Sequence, residues 1–121
     1  MVRILIADDH PLFAEALRVT LATDPRLKVV GVARDGHEAV ELAQTLKPNV
    51  TLMDIAMPVM DGFEATRKLR ELDPDALVLM LTGSNSPLDI DRARQAGAAG
   101  YVTKDRIGLD LVAAIRNLVA T

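Results

Sequence analysis

The sequence predicts an α/β fold: an open, doubly wound parallel sheet with helices on both faces. Three observations predict it. Five short apolar runs alternate with segments whose apolar residues recur at helical spacing. Several of those runs are continuously apolar, as in strands covered on both sides. Helix start and stop signals also fall between the runs, so the strands are joined by the crossovers a parallel sheet needs. Right-handed crossovers leave few topologies, and the pattern alone leaves strand order open.

The first strand is RILIA (3–7). Pro11 suits a first helical turn, and Phe13, Ala16, Leu17, Thr20 and Leu21 share one helical face. KVVGVA (28–33) is the second strand. Asp35 and Glu38 are spaced as an N-cap with its N3 acid, Ala39, Leu42, Ala43 and Leu46 form the next stripe, and Pro48 ends it. VTLMD (50–54) is the third strand, and Asp61 with Glu64 caps a shorter helix marked by Ala65, Leu69 and Leu72. ALVLMLT (76–82) is the fourth. Ser86, Pro87 and Asp89 open the least regular helix, over 87–96, with Leu88, Ile90 and Ala93 as its apolar spine and Gly97 as its stop. GYVT (100–103) is the fifth strand, followed by a helix carrying Leu111, Val112, Ile115, Leu118 and Val119. No repeat or low-complexity stretch interrupts residues 1–121, which read as one domain.

Composition excludes several functions. Half the residues are apolar, but Phe13, Phe63 and Tyr101 are the only aromatics, so no stacking platform for single-stranded nucleic acid exists. A formal net charge of −3 gives no standing attraction to DNA or anionic lipid. Without cysteine there are no disulfides, thiolate nucleophiles or thiolate metal sites, which fits a reducing cytoplasm. Charge interrupts MVRILIADDH too early for a secretory signal, and no apolar run is long enough to span a bilayer.

In such sheets, ligands bind outside the C-terminal ends of the strands. Asp8 and Asp9 end the first strand, Asp54 the third, Thr82 the fourth, and Thr103 and Lys104 the fifth. Three carboxylates at one edge repel one another, and Lys104 alone does not balance them. A divalent cation would. Hard carboxylate oxygens with open water positions suit Mg²⁺, which typically recruits phosphate oxygens as well. Lys104 and the Thr82 hydroxyl would then face those oxygens, with a carboxylate as nucleophile. Asp61 reads as a cap, His10 as a residue flanking the first helix, and His37 as lying away from the strand ends. Met53, Met57, Met60 and Met80 read as packing, and Arg92 and Arg94 as a solvated face.

The strings ADDH, MDIAMPVMDG, LT (81–82) and AGAAGYVTKD, in this order at these strand ends, resemble the receiver domains of two-component response regulators along the whole chain. The resemblance implies a flavodoxin-like (βα)5 sheet of order 2-1-3-4-5. It implies that Asp54 accepts a phosphoryl group from a histidine kinase. Asp9 would bind Mg²⁺ directly, Asp8 mainly through water, and Asp54 and the backbone carbonyl of Ala56 would complete the protein ligands. Lys104 would pair with the phosphate, and Thr82 and Tyr101 would form the switch pair. Readout would use the fourth helix, fifth strand and fifth helix, with a homodimer formed on phosphorylation. The implied role is a cytoplasmic signalling switch and not an enzyme, limited to phosphorylating itself from a donor and slowly losing the group. Ala56 and Ser84 would flank the attacking water and tune that loss.

DDHPLF, KD at 104–105 and LVAAIRNLV are similar to the subgroup whose receiver precedes a helix-turn-helix domain of LuxR/NarL type. DNA would then be bound by that output domain and not by these residues. The alternative is a stand-alone receiver that docks on another protein. Much of the family carries a cis proline after the lysine, where this chain has Asp105. A Mg²⁺-dependent aspartyl phosphatase would need a second acid two residues after Asp54, a position held by Ala56. A nucleotide- or flavin-binding module would need a glycine-rich first turn where ADDHPLF places carboxylates.

Overall fold

The computed structural model describes residues 1–83 and 86–120. Five strands and five helices alternate: β1 (Val2–Ala7), α1 (Pro11–Leu21), β2 (Leu27–Ala33), α2 (Gly36–Leu46), β3 (Val50–Asp54), α3 (Gly62–Leu72), β4 (Val78–Thr82), α4 (Pro87–Ala96), β5 (Gly100–Thr103) and α5 (Ile107–Val119). All strand pairs are parallel and the order is β2-β1-β3-β4-β5, the flavodoxin-like topology. Every residue of β3 and β4 is buried, which explains their unbroken apolar runs.

The sheet separates two cores. Leu5, Met53, Val78 and Met80 point to α2, α3 and α4, where they meet Ala39, Ala43, Phe63, Ala65, Leu69 and Ala93. Ile4, Ile6, Leu52, Leu79 and Leu81 point the other way, to Leu17, Leu21, Leu111 and Ile115 of α1 and α5. Full burial of one such aliphatic side chain contributes about 1.5–3 kcal/mol before entropy is counted.

Caps form as the spacing predicts at two helices: Asp35 accepts from the Glu38 N–H and Asp61 from the Glu64 N–H. Gly97 ends α4 with φ 101°. Ser86 sits at the N-cap position of α4.

Three stripe residues lie elsewhere than expected. In α1 the buried positions are Ala14, Leu17 and Leu21, and Ala16 is exposed, because the helix lies beside α5 on one face of the sheet and touches β2 and α5 along a narrower stripe. Leu72, the last residue of α3, and Leu88, in the first turn of α4, are exposed. The fourth helix instead buries only Ala93 and Ala96. A 3-10 turn, Lys104–Arg106, also precedes α5 and moves its start to Ile107.

Candidate functional site

Strand order reverses between β1 and β3, and the crevice beyond their C-terminal ends is where this topology binds ligands. Asp8 follows the last residue of β1, held by a hydrogen bond from its N–H to the Ala33 carbonyl at 2.9 Å. Asp54 ends β3, and Ile55 N–H continues the ladder to Leu81 O at 3.3 Å. The chain then folds back sharply. Gly62 N–H returns to Ile55 O at 2.8 Å, and a Cβ at Gly62 would lie 2.2 Å from the Asp54 carbonyl oxygen, so only glycine fits. Within this loop Met60 N–H bonds Pro58 O at 2.7 Å across Val59, whose φ is 69°. A β-branched residue in that region is strained.

Lys104 approaches from two strands away. Neighbouring strands are about 4.8 Å apart, so β5 lies on the order of 10 Å from β3 and only a long side chain bridges them. The ammonium reaches Asp54 Oδ1 at 3.1 Å and lies 4.6 Å from the centre of the Phe13 ring, a cation–π contact.

The carboxylates are buried and incompletely satisfied. Asp8 and Asp54 are each 2 % exposed. Asp8 Oδ1 accepts from the His10 backbone N–H at 2.8 Å, while Asp8 Oδ2, Asp9 Oδ1 and Asp54 Oδ2 have no hydrogen-bond donor among the described residues. Burial first, and then the Asp8 charge, push the Asp54 carboxyl above its ordinary range; Lys104 and the Ala56 backbone N–H oppose that shift without cancelling it. One ligand atom from each of Asp8, Asp9, His10 and Asp54 lies within 4.8 Å of all the others. Orphaned, buried carboxylate oxygens converging this closely fit a divalent cation such as Mg²⁺.

Residues 4–116 match the family described as the response regulator receiver domain. The chain belongs to the response regulator receiver domain family. It is 42 % identical to the response regulator GacA of Pseudomonas aeruginosa over 120 residues, which are 99 % of this chain and 56 % of that protein. It is 39 % identical to the transcriptional regulatory protein DegU of Brevibacillus brevis over 115 residues, 95 % of this chain and 49 % of that one. Among solved structures, a LuxR-family two-component response regulator from Aurantimonas sp. aligns with a TM-score of 0.95 at 37 % identity, covering 99 % of this chain and 86 % of that one. The chain spans about half the length of the curated relatives it matches.

Within this receiver, Asp8, Asp9, Asp54 and Lys104 meet at one mouth. Thr82 ends β4 beside it, in register with Thr103 of β5, and is 3 % exposed. Ala56 is exposed on the loop after Asp54. Tyr101 stands apart from the carboxylates: its side chain is 43 % exposed and borders a cleft of about 220 Å³ with Ile90, Ala93 and Arg94 of α4. Ser84 lies outside the described residues.

Two residues matter more here than their sequence positions suggest. His10 occupies the N-cap of α1 through its backbone, and its ring turns over the acidic pair, with Nδ1 at 3.1 Å from both Asp8 Oδ1 and Asp9 Oδ1. An Asp two residues before an N–H is the signal for the Asx-type turn that aims the ring this way. Phe13 stacks on Lys104, a contact that no sequence spacing announces. Likewise Arg92 lies over the Phe63 ring at 4.1 Å, so the supposed solvated face of α4 is partly a packing contact.

Proposed function

We propose that residues 1–121 form one receiver domain that switches when Asp54 accepts a phosphoryl group from a histidine kinase. The observation that carries this reading is the state of the Asp54 carboxylate. One oxygen is paired with Lys104 at 3.1 Å, and the other is buried, without a donor among the described residues, and turned toward the Asp8–Asp9 pair. Burial desolvates the carboxylate as a nucleophile, and Asp8 keeps it from settling as a stable ion.

In the transfer, the P–N bond of a phosphohistidine breaks as a carboxylate oxygen of Asp54 forms an O–P bond. The imidazole leaves with the electron pair of the broken bond. Asp8, Asp9, Asp54 and the Ala56 carbonyl would hold Mg²⁺, which supplies positive charge to the phosphoryl oxygens and orients them. Lys104 keeps its position and exchanges a carboxylate oxygen for a phosphoryl oxygen. The Thr82 hydroxyl donates to another, and Tyr101 turns from its exposed position into the space behind it. The new dianion thus creates charge-assisted hydrogen bonds available only in the modified state.

The face built from α4, β5 and α5 would pass this change to a partner, including a second copy of the chain. The lengths of the relatives, and the transcriptional role stated for DegU, support a C-terminal DNA-binding output domain as the controlled element. The setting is the cytoplasm; among the described residues, no helix is long and apolar enough to cross a membrane.

Intact mass after incubation with acetyl phosphate tests the reading. Wild type gains one phosphoryl group only with Mg²⁺, and Asp54→Asn gains none. No adduct on wild type, with beryllium fluoride also failing to bind, sinks the proposal.

A further inference from the structure

The geometry around His10 goes beyond an all-oxygen magnesium site. Its Nδ1 lies 3.1 Å from Asp8 Oδ1, 3.1 Å from Asp9 Oδ1 and 3.9 Å from Asp54 Oδ2. Adjacent ligands of an octahedral ion with bonds of about 2.1 Å are about 3 Å apart. The imidazole nitrogen, at hydrogen-bond distance from Asp8 Oδ1, is thus also at the spacing of an adjacent ligand from the acidic pair, and its 3.9 Å to Asp54 Oδ2 is nearer the spacing of ligands on opposite sides of one ion. Asp8 Oδ2 and Asp54 Oδ2, both buried and without donors among the described residues, are independent signs that a cation belongs here.

We propose that His10 is a nitrogen ligand of this site, and that the site therefore binds a late first-row dication such as Co²⁺, Ni²⁺ or Zn²⁺ in preference to Mg²⁺. The proposal rests on the reading of the Asp8–Asp9–Asp54 cluster as a metal site. Carboxylates alone leave the choice to hard cations, whereas an imidazole adds a donor that Mg²⁺ uses poorly and late transition metals use well. The local backbone holds the ring in place. His10 N–H donates to Asp8 Oδ1 at 2.8 Å, and Pro11 fixes the next φ as α1 begins. The ring is also accessible, with its side chain 62 % exposed, so a hydrated ion reaches it without any opening of the fold. Coordination through Nδ1 leaves the ring proton on Nε2, toward water.

Other charges facing the cluster do not oppose this. Lys104 is engaged with the opposite oxygen of Asp54. Arg18 and Arg34 line, with Glu15, Asp8 and Asp9, a cleft of about 430 Å³ on the α1 side of the acidic pair, and Arg18 is paired with Glu15 at 3.8 Å.

The test is a titration of wild type, His10→Ala and His10→Asn with Co²⁺ and with Mg²⁺. Affinity is read from the visible absorption of Co²⁺ and from the shift in melting temperature. Asparagine keeps a good N-cap at α1, so a folding defect in the alanine variant does not decide the result. Nitrogen ligation is read directly in wild type as ¹⁴N coupling to bound Mn²⁺. The expected result is that wild type prefers Co²⁺ and shows the nitrogen coupling. In both variants the Co²⁺-to-Mg²⁺ affinity ratio falls on the order of 10- to 100-fold.

An unchanged ratio, or a bound ion with oxygen ligands only, overturns the inference and leaves the magnesium site standing. A rise in both affinities on removing His10 overturns it too, since the ring would then be a competing cation. If wild type binds neither ion, the metal-site reading fails with it.

Discussion

Two buried aspartates at opposite ends of the sheet have opposite electrostatic fates. Asp24, in the turn between α1 and β2, is 7 % exposed, and Asp54, at the end of β3, is 2 % exposed. Asp24 is saturated with donors. Arg26 gives its backbone N–H at 2.9 Å, Nε at 3.1 Å and Nη2 at 3.0 Å, and Arg116 stands 4.0 Å away. These partners, the Arg26 side chain above all, pull the Asp24 carboxyl down to about 2. Asp54 has one ammonium, an orphaned oxygen and an acidic neighbour, and its carboxyl is pushed up. Similar burial thus yields a closed structural clamp at one end and a frustrated carboxylate at the other. Asp54 is the more strongly desolvated, carries the Asp8 charge beside it and has fewer donors; among the described residues, the buried carboxylate oxygens left without donors lie where a ligand would supply the missing charge.

That contrast is broken most strongly by filling the mouth. Magnesium at about 100 times its dissociation constant should stabilise wild type by about 2.7 kcal/mol. Asp9→Asn should gain much less, while Asp24→Asn, whose change lies at the far pole, should gain as much as wild type. Melting curves with and without Mg²⁺ measure all three. Equal gains in wild type and Asp9→Asn would remove the acidic pair from the metal site.

Without metal, the two aspartates should respond to the same substitution with opposite signs. Asp54→Asn relieves an unfavourable charge and should raise stability by roughly 1–2 kcal/mol. Asp24→Asn removes a favourable one and should lower the melting temperature. Their pH dependences follow. Between about 2 and the ordinary carboxylate value of 3.8, unfolded chains hold a proton at Asp24 that the folded protein lacks, so stability rises with pH there and is lost on acidification. At Asp54 the folded state holds the extra proton, so stability declines as pH rises from 3.8 toward its raised value. Denaturation across this range should show a flatter acid limb for Asp24→Asn and no decline above 3.8 for Asp54→Asn. The same profile for both variants would mean the two sites do not differ as described.

Much of this site was legible in the sequence because strand ends are legible. A continuous apolar run stopping at Asp8 or Asp54 fixes which end of the sheet the carboxylate occupies, and parallel strands bring those ends together. The Asp35 and Asp61 caps were legible for the same local reason: N-cap and N3 acid lie on one turn. What depends on rotamers or on distant neighbours was not. The His10 ring direction is set by a turn closed through the Asp8 side chain, and the Lys104–Phe13 stack joins residues from the first helix and from the 3-10 turn after the far strand. Helix stripes also erred where contact geometry decides burial, as at Ala16 and Leu88. At Asp24 the turn to Arg26, two residues on, is as local as the one at Asp8, and only the weaker Arg116 contact at 4.0 Å, from the last helix, lies beyond any sequence spacing.

The smallest effect concerns how firmly each pole holds its cation. Arg26 gives two side-chain donors to Asp24, so its position is fixed by hydrogen bonds. Lys104 has one carboxylate oxygen and one aromatic face, and the Phe13 ring supplies what a second acceptor would. Phe13→Leu keeps an apolar side chain against the core on that face of the sheet while removing the ring quadrupole. It should cost about 0.5–1 kcal/mol of stability, and it should abolish the ring-current shift of the Lys104 ε-methylene protons in the NMR spectrum. Phe13→Tyr, which retains the face, should preserve both. A lysine resonance at the same position in all three proteins would show that the ammonium is held by Asp54 alone, and that the two poles differ in their carboxylates but not in how they seat their cations.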